Sequence, residues 1–260
     1  MALQALPISV VMLTCNSSRR LAQVLEPLQA FSEVRICDTG STDATVEIAR
    51  SFPNVVLEAR PFATFGALRN GLAAQARHDW ILALDSDEVA SPQLLEQLGS
   101  MQLSQDCLYS FPFRNYFQGR WIRGCGWWPD RHIRLYDRTR ARFSEQLVHE
   151  RIVGEGLSTV ELSGPIDHYS YESVGDFIAK MGRYSDLFAR QYCGQRQASL
   201  ATAIGHGLYA FVRSYLLRRG FRDGSAGFLI SSYQAQTAFY KYLKLREYNH
   251  AARTTLPSAH

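Results

Sequence analysis

ILALDSDEVA, residues 81–90, decides how the rest of the chain is read: an apolar run of strand length stops abruptly in three carboxylates, Asp85, Asp87 and Glu88. Carboxylates gathered at one point repel one another, so such a cluster has a cation to hold or a helix to cap. Capping has its own support, because Ser91-Pro92 follows directly and reads as a helix start. A short acidic motif alone does not separate the two. The neighbouring segments do.

Working outward, the first ninety residues alternate short β-branched runs with helical spacing, the pattern of β-α-β units and a parallel sheet. Strands are expected at Ile8–Leu13, Val34–Asp38, Val55–Ala59 and Trp80–Asp85, and helices at 19–31, 42–52 and 66–76. Three of these strands end in polar or small residues: Thr14-Cys15-Asn16, Asp38-Thr39-Gly40-Ser41 and Asp85-Ser86-Asp87. In an open parallel sheet ligands bind beyond the carboxyl ends of the strands, so all three clusters are expected on one edge. Residues 108–171 mix aromatic strands with turns and read as a sheet extension with long loops. From Val174 the pattern turns helical, and GLYAFVRSYLLRRGF, residues 207–221, puts Leu208, Phe211, Val212, Tyr215 and Leu216 on one helix face.

A chain of 260 residues, 46% hydrophobic and 20% charged, suits one globular domain, alone or with an appended subdomain. Its five cysteines show no C-x-x-C spacing, which argues against a zinc site or a disulfide framework and fits a reducing cytosol. The start of the chain lacks a basic stretch and a small-residue cleavage site, and no run reaches about 18 apolar residues, so neither secretion nor membrane spanning is expected. A net charge of +4 is too mild to imply nucleic acid. Its distribution says more: from Gly205 to Arg253 eight basic residues face two acids, a balance of +6.

In RICDTGSTDATVEIAR, residues 35–50, a strand delivers Asp38 into a Gly-Ser turn ahead of a helix. An acid-rich helix start explains Asp43 well and Asp38 less well, since a carboxylate at a strand end is placed to accept from a base or ribose hydroxyl. A dinucleotide-binding domain would need G-x-G-x-x-G after the first strand, where this chain has TCNSSRR, and the P-loop signature is missing too. Together the segments resemble family 2 inverting glycosyltransferases of the GT-A fold. Thr14-Cys15-Asn16 matches the family's T-x-N, with Ser17 where an acid often follows; residues 38–43 match D-x-G-S-T-D. Arg69-Asn70 corresponds to the basic residue and Asn ahead of the metal motif, and Asp85-Ser86-Asp87 to D-x-D. The resemblance implies an α/β fold with a GT-A (Rossmann-like), mostly parallel sheet flanked by helices and a helical C-terminal extension. Residues 1–170 would form the nucleotide-sugar-binding and catalytic core and 171–260 the extension. It implies Mg²⁺ or Mn²⁺ bridging the donor diphosphate, with Asp87 the metal ligand and Thr14, Asn16, Asp38, Arg69, Asp85 and Asp87 around the donor.

The segment 126–152 and the later YLLRRGFRDGSAGF, residues 215–228, are similar to the branch that includes lipopolysaccharide core β-1,4-glucosyltransferases. The resemblance implies transfer of a hexose, glucose from UDP-glucose above others, onto a lipid-anchored saccharide such as the inner-core heptose of lipopolysaccharide. The place implied is the cytoplasmic face of a bacterial inner membrane. The alternative is a non-catalytic protein that keeps the fold and binds a nucleotide sugar or a partner. An inverting transferase needs a general base beside the acceptor hydroxyl. Glu150 is the candidate, against a surface pair with Arg151; Asp130 and Glu145 stand behind it, and His149 reads as a structural hydrogen-bonder. Trp127 and Trp128 are acceptor-stacking candidates of which one is expected to be core. Arg131 and Arg134 could meet acceptor or donor phosphates or be solvated. The basic, aromatic stretch after Gly205 reads as a core-packing helix, a protein-docking face or a surface lying on anionic lipid.

Overall fold

The structure, a computed structural model, describes residues 5–144 and 150–254. The chain divides into two compact units, Met1–Arg114 with Asp130–His168, and Asn115–Pro129 with Tyr169–His260.

In the first unit, β1 (Leu6–Thr14), β2 (Phe31–Asp38), β3 (Val55–Ala59) and β4 (Trp80–Asp85) form a parallel sheet in the order β3-β2-β1-β4, linked by α1 (Leu21–Leu28), α2 (Thr45–Arg50) and α3 (Phe65–Ala74). The four expected strands are present, two of them with the expected bounds. Both faces are apolar because both are covered: Val10, Met12, Leu82 and Leu84 pack with α1, while Val11, Ile81 and Ala83 pack with Leu68 and Leu72 of α3. The helices are shorter than their spacing predicts. Phe31 is drawn into β2 with its ring buried, so α1 stops at Leu28, one residue past Pro27. Ser41, Thr42 and Asp43 bond to the β1–α1 loop instead of opening a helix, so α2 begins at Thr45.

After β4 come β5 (Glu88–Ala90) and α4 (Pro92–Ser100), which Ser91 caps by accepting the Leu94 N–H at 3.2 Å. The helix is therefore capped by a serine, and the acids before it serve another end. The sheet continues through β8 (Arg131–Asp137), β6 (Cys107–Phe117) and β12 (Ile166–Tyr171) to β5, with β11 (Ser158–Glu161) beside β6; β9 (Arg142–Phe143) and β10 (Ile152–Val153) make a separate hairpin. Pairing of β12 with β5 sets His168 opposite Glu88. In the parallel part Thr14 lies beside Asp38 and Leu13 beside Asp85, so the polar strand ends share one edge.

The second unit holds the short β7 (Arg120–Trp121), α5 (Val174–Tyr192), α6 (Leu200–Val212) and α7 (Gly224–Thr254) around Phe117, Ile122, Cys125, Phe177 and Ile230. After α6 the backbone winds into a π-turn over Arg213–Leu217, then a 3₁₀ turn over Gly220–Asp223. The single apolar face expected over 208–216 is split: Phe211 and Tyr215 stack at 5.4 Å, while Leu208, Val212 and Leu216 face solvent. Glycine is required where these turns meet α7, since a Cβ on Gly227 would lie 1.8 Å from the Gly220 carbonyl oxygen. Asp223 fastens the same turn to the 120–129 loop by accepting the Gly124 N–H at 2.6 Å. No helix among the described residues is long and apolar enough to cross a membrane.

Candidate active site

At the carboxyl edge of β1 and β2 two loops are stitched together. Asp38 is buried and accepts four donors: the Thr14 hydroxyl at 3.0 Å, the Gly40 and Ser41 N–H groups and the Ser41 hydroxyl. Burial pushes its carboxyl up, but the Ser41, Gly40 and Thr14 donors outweigh that and hold it below the usual carboxylate range. Asn16 is exposed and left-handed (φ 52°), a conformation asparagine tolerates. Its side-chain oxygen accepts the Thr42 N–H at 2.8 Å and its own N–H donates to Ser41 at 2.8 Å. Thr14 and Asp38 thus shape the platform from beneath, and Asn16 presents its surface.

Next to this platform, at the end of β4, lies a lattice of acids and arginines. Arg69, buried on α3, contacts Asp85 with one terminal nitrogen and Glu150 with the other, the latter at 2.6 Å. Arg134 from β8 bridges Asp85 at 3.3 Å and Glu88, and Glu88 also accepts the Asp85 N–H at 3.0 Å. Burial pushes the Asp85 carboxyl up, but Arg69 and Arg134 overcome it and hold the group well below its usual range. Burial pushes Glu88 up, reinforced by Asp85 and Asp87 against the pull of Arg134. Arg69, expected at the donor, is enclosed and engaged on two carboxylates, Asp85 and Glu150. The next residue assists it: Asn70 donates to the Phe143 carbonyl and accepts the Phe143 N–H, both at 2.9 Å, so α3 holds β9 as well as Glu150.

Asp85, Asp87, Glu88 and Glu150 set four carboxylates against the two guanidiniums of Arg69 and Arg134. Asp85 and Glu88 of ILALDSDEVA are thus engaged by Arg69 and Arg134, while the cap of α4 is made by Ser91. Asp87 remains partly exposed, with the His168 Nε2 3.6 Å away. Among the described residues no group of three or more His, Cys, Asp or Glu side chains is arranged to hold a metal. The Asp87 carboxylate suits a Mg²⁺ or Mn²⁺, and the His168 imidazole beside it suits the softer Mn²⁺ of the two; these residues would hold the ion. Sequence reading missed His168. It stands 81 residues from Asp87, and only the β5–β12 pairing brings the two together.

Of the acceptor candidates, Arg131 donates to the Ser110 and Leu162 carbonyls and pairs with Glu161, bonds that bind strands to one another. Trp127 stacks on Tyr171 at 5.6 Å within the second unit's core, whereas Trp128 meets Trp121 edge-on at 5.1 Å and lines a cavity there. Asp130 pairs with His132 at 3.1 Å. Glu145 and His149 lie outside the described residues.

S. aureus TarS 1-349 in complex with UDP-GlcNAc aligns over 96% of this chain and 93% of its own at 14% identity, with a TM-score of 0.48. The lipopolysaccharide core biosynthesis glycosyltransferase LpsC of Rhizobium meliloti (strain 1021) is 26% identical over 252 residues, 92% of either chain. An uncharacterized glycosyltransferase of Rickettsia typhi is 25% identical over 268 residues, 96% of this chain and 90% of the other. The profile of the Glycosyl transferase family 2 matches residues 9–152, more than half the chain and the stretch that builds the platform, the lattice and Glu150. With an α/β sheet of the GT-A kind and its polar strand ends on one edge, the chain belongs to glycosyl transferase family 2 and is a glycosyltransferase.

Proposed function

We propose that the protein moves a hexose, glucose from UDP-glucose before others, onto a lipid-anchored saccharide such as the inner-core heptose of lipopolysaccharide, with inversion at the anomeric carbon. The observation that carries this reading is the Asp85–Arg69–Glu150 chain, in which one guanidinium holds a carboxylate of the D-x-D motif and the candidate base. The platform of Thr14, Asn16 and Asp38 receives the nucleoside. Asp87 and His168 would hold a divalent ion, which when bound supplies Lewis-acid stabilisation of the departing diphosphate. Glu150 takes the proton of the acceptor hydroxyl as its oxygen attacks. Residues 1–170 carry this chemistry and 171–260 serve docking. The relationship to LpsC supports the lipopolysaccharide core as the acceptor class. Incubation with a panel of nucleotide sugars and Mn²⁺ tests the donor: slow UDP release, fastest from UDP-glucose, is expected. No release from any donor would favour the non-catalytic alternative.

A lipid-anchored acceptor requires the enzyme at a membrane face. Phe211, Tyr215, Phe221 and Phe228 form one aromatic cluster with ring centroids 5.4–6.4 Å apart, and Phe221 and Phe228 are half exposed. The segment's balance of +6 complements anionic lipid, worth about 1 kcal/mol per basic residue near the surface and weakened by salt. Flotation with phosphatidylglycerol liposomes should recover the protein at low salt and release it at high salt. No flotation at low salt would sink this placement at the cytoplasmic face of the inner membrane.

A further inference from the structure

Five arginines of the second unit, Arg120, Arg123, Arg218, Arg219 and Arg222, open on one cavity of about 870 Å³. Guanidiniums that share one cavity repel one another, and an anion among them relieves that repulsion. The acid in the lining, Asp223, is buried and already accepts the main-chain N–H groups of Gly124 and Arg123. Among the described residues none of the five guanidiniums pairs with a carboxylate. Even counting Asp223, the cavity keeps a surplus of four positive charges.

The cavity is also built. Gly126, left-handed at φ 77°, admits the Arg218 guanidinium against the loop, where a Cβ would come within 2.1 Å of Nη1. Arg219 is itself left-handed at φ 55°, a conformation that costs a non-glycine residue and persists where the surroundings impose it. Arg123 lies over the Trp121 ring at 4.3 Å, and the buried Trp121 indole N–H has no acceptor among the described residues. Forked guanidiniums suit the oxygens of phosphate, and the rings of Trp121 and Trp128 suit the apolar face of a pyranose. The volume falls within the usual range for small-molecule sites, about 300–1,000 Å³.

We propose that this cavity binds a phosphorylated saccharide, and, resting on the transferase reading above, that the saccharide is the charged part of the acceptor. Phosphate reaches it as an ester on the sugar; a phospholipid headgroup carries the same chemistry and is separated by experiment. The full chain is titrated calorimetrically in chelator, which silences the metal-dependent donor site, with inorganic pyrophosphate, with glucose 6-phosphate and with phosphatidylglycerol vesicles. Saturable binding of both soluble probes is expected, weakened by salt. Arg120→Gln with Arg222→Gln should lower it about a hundredfold, roughly tenfold for each charge-assisted contact, with Mn²⁺-dependent UDP binding unchanged. Arg123→Gln provides an independent reading should the double variant fail to fold. Absent binding of the soluble probes, or equal binding by both variants and the parent, overturns the site. Arginine-dependent binding to vesicles alone overturns the saccharide in favour of a headgroup. Arginine-dependent binding of the soluble probes together with no turnover of any nucleotide sugar removes the acceptor role and leaves the phosphate site standing.

Discussion

Glu150→Gln is expected to lower kcat by about 10² to 10⁴ while leaving the donor dissociation constant nearly unchanged. Inversion needs the acceptor oxygen to attack as its proton leaves, so deleting the proton acceptor slows the chemical step. Glutamine suits the test because its amide oxygen can keep the bond that Arg69 now makes to Glu150 at 2.6 Å. Alanine would leave a buried guanidinium half unpaired and mix a structural defect with the chemical one. Calorimetry with the donor beside steady-state transfer rates makes the comparison. Normal turnover would move the base elsewhere, with Asp130 or Glu145 the next candidate, and a collapse of donor binding would place Glu150 on the donor side.

Asp87→Ala should weaken metal-dependent donor binding by at least about a hundredfold, the scale on which loss of support around a metal is felt. Stability should move by no more than about 0.5 kcal/mol, because the side chain is partly exposed and the His168 Nε2 lies 3.6 Å from its carboxyl oxygen, beyond hydrogen-bond distance. Donor titration with and without Mn²⁺, alongside thermal melting, reads both quantities. Activity that survives in the variant, or ignores chelators in the parent, would remove the metal assignment.

What the sequence reveals here is what is local. Val55–Ala59 and Trp80–Asp85 are strands as read, because their β-branched and apolar runs are bounded by turn residues within the same few positions. The edge shared by Thr14, Asp38 and Asp85 follows from the parallel register alone. The helix ends are less legible, since tertiary bonds from Asn16 to Ser41 and Thr42 draw residues away from α2. His168 beside Asp87 and Arg134 between Asp85 and Glu88 had no local signal at all, for each depends on strands brought together from 46 to 81 residues apart. Nor does spacing tell that Trp127 and Trp128, adjacent in the chain, part company between core and cavity.

Arg69 gives the two halves of the reaction a common term. Asp85 opens the D-x-D motif and Glu150 is the proposed base, and each is held by a different nitrogen of the same side chain. Any ligand that draws Asp85 toward itself alters the share of that guanidinium left for Glu150, and any that draws Glu150 alters the share left for Asp85. Free-energy coupling of this kind is reciprocal. On the proposed reading, with Asp85 toward the donor and Glu150 toward the acceptor, the two substrates do not bind as strangers: occupancy of one subsite is written into the affinity of the other by the single cation that serves both carboxylates.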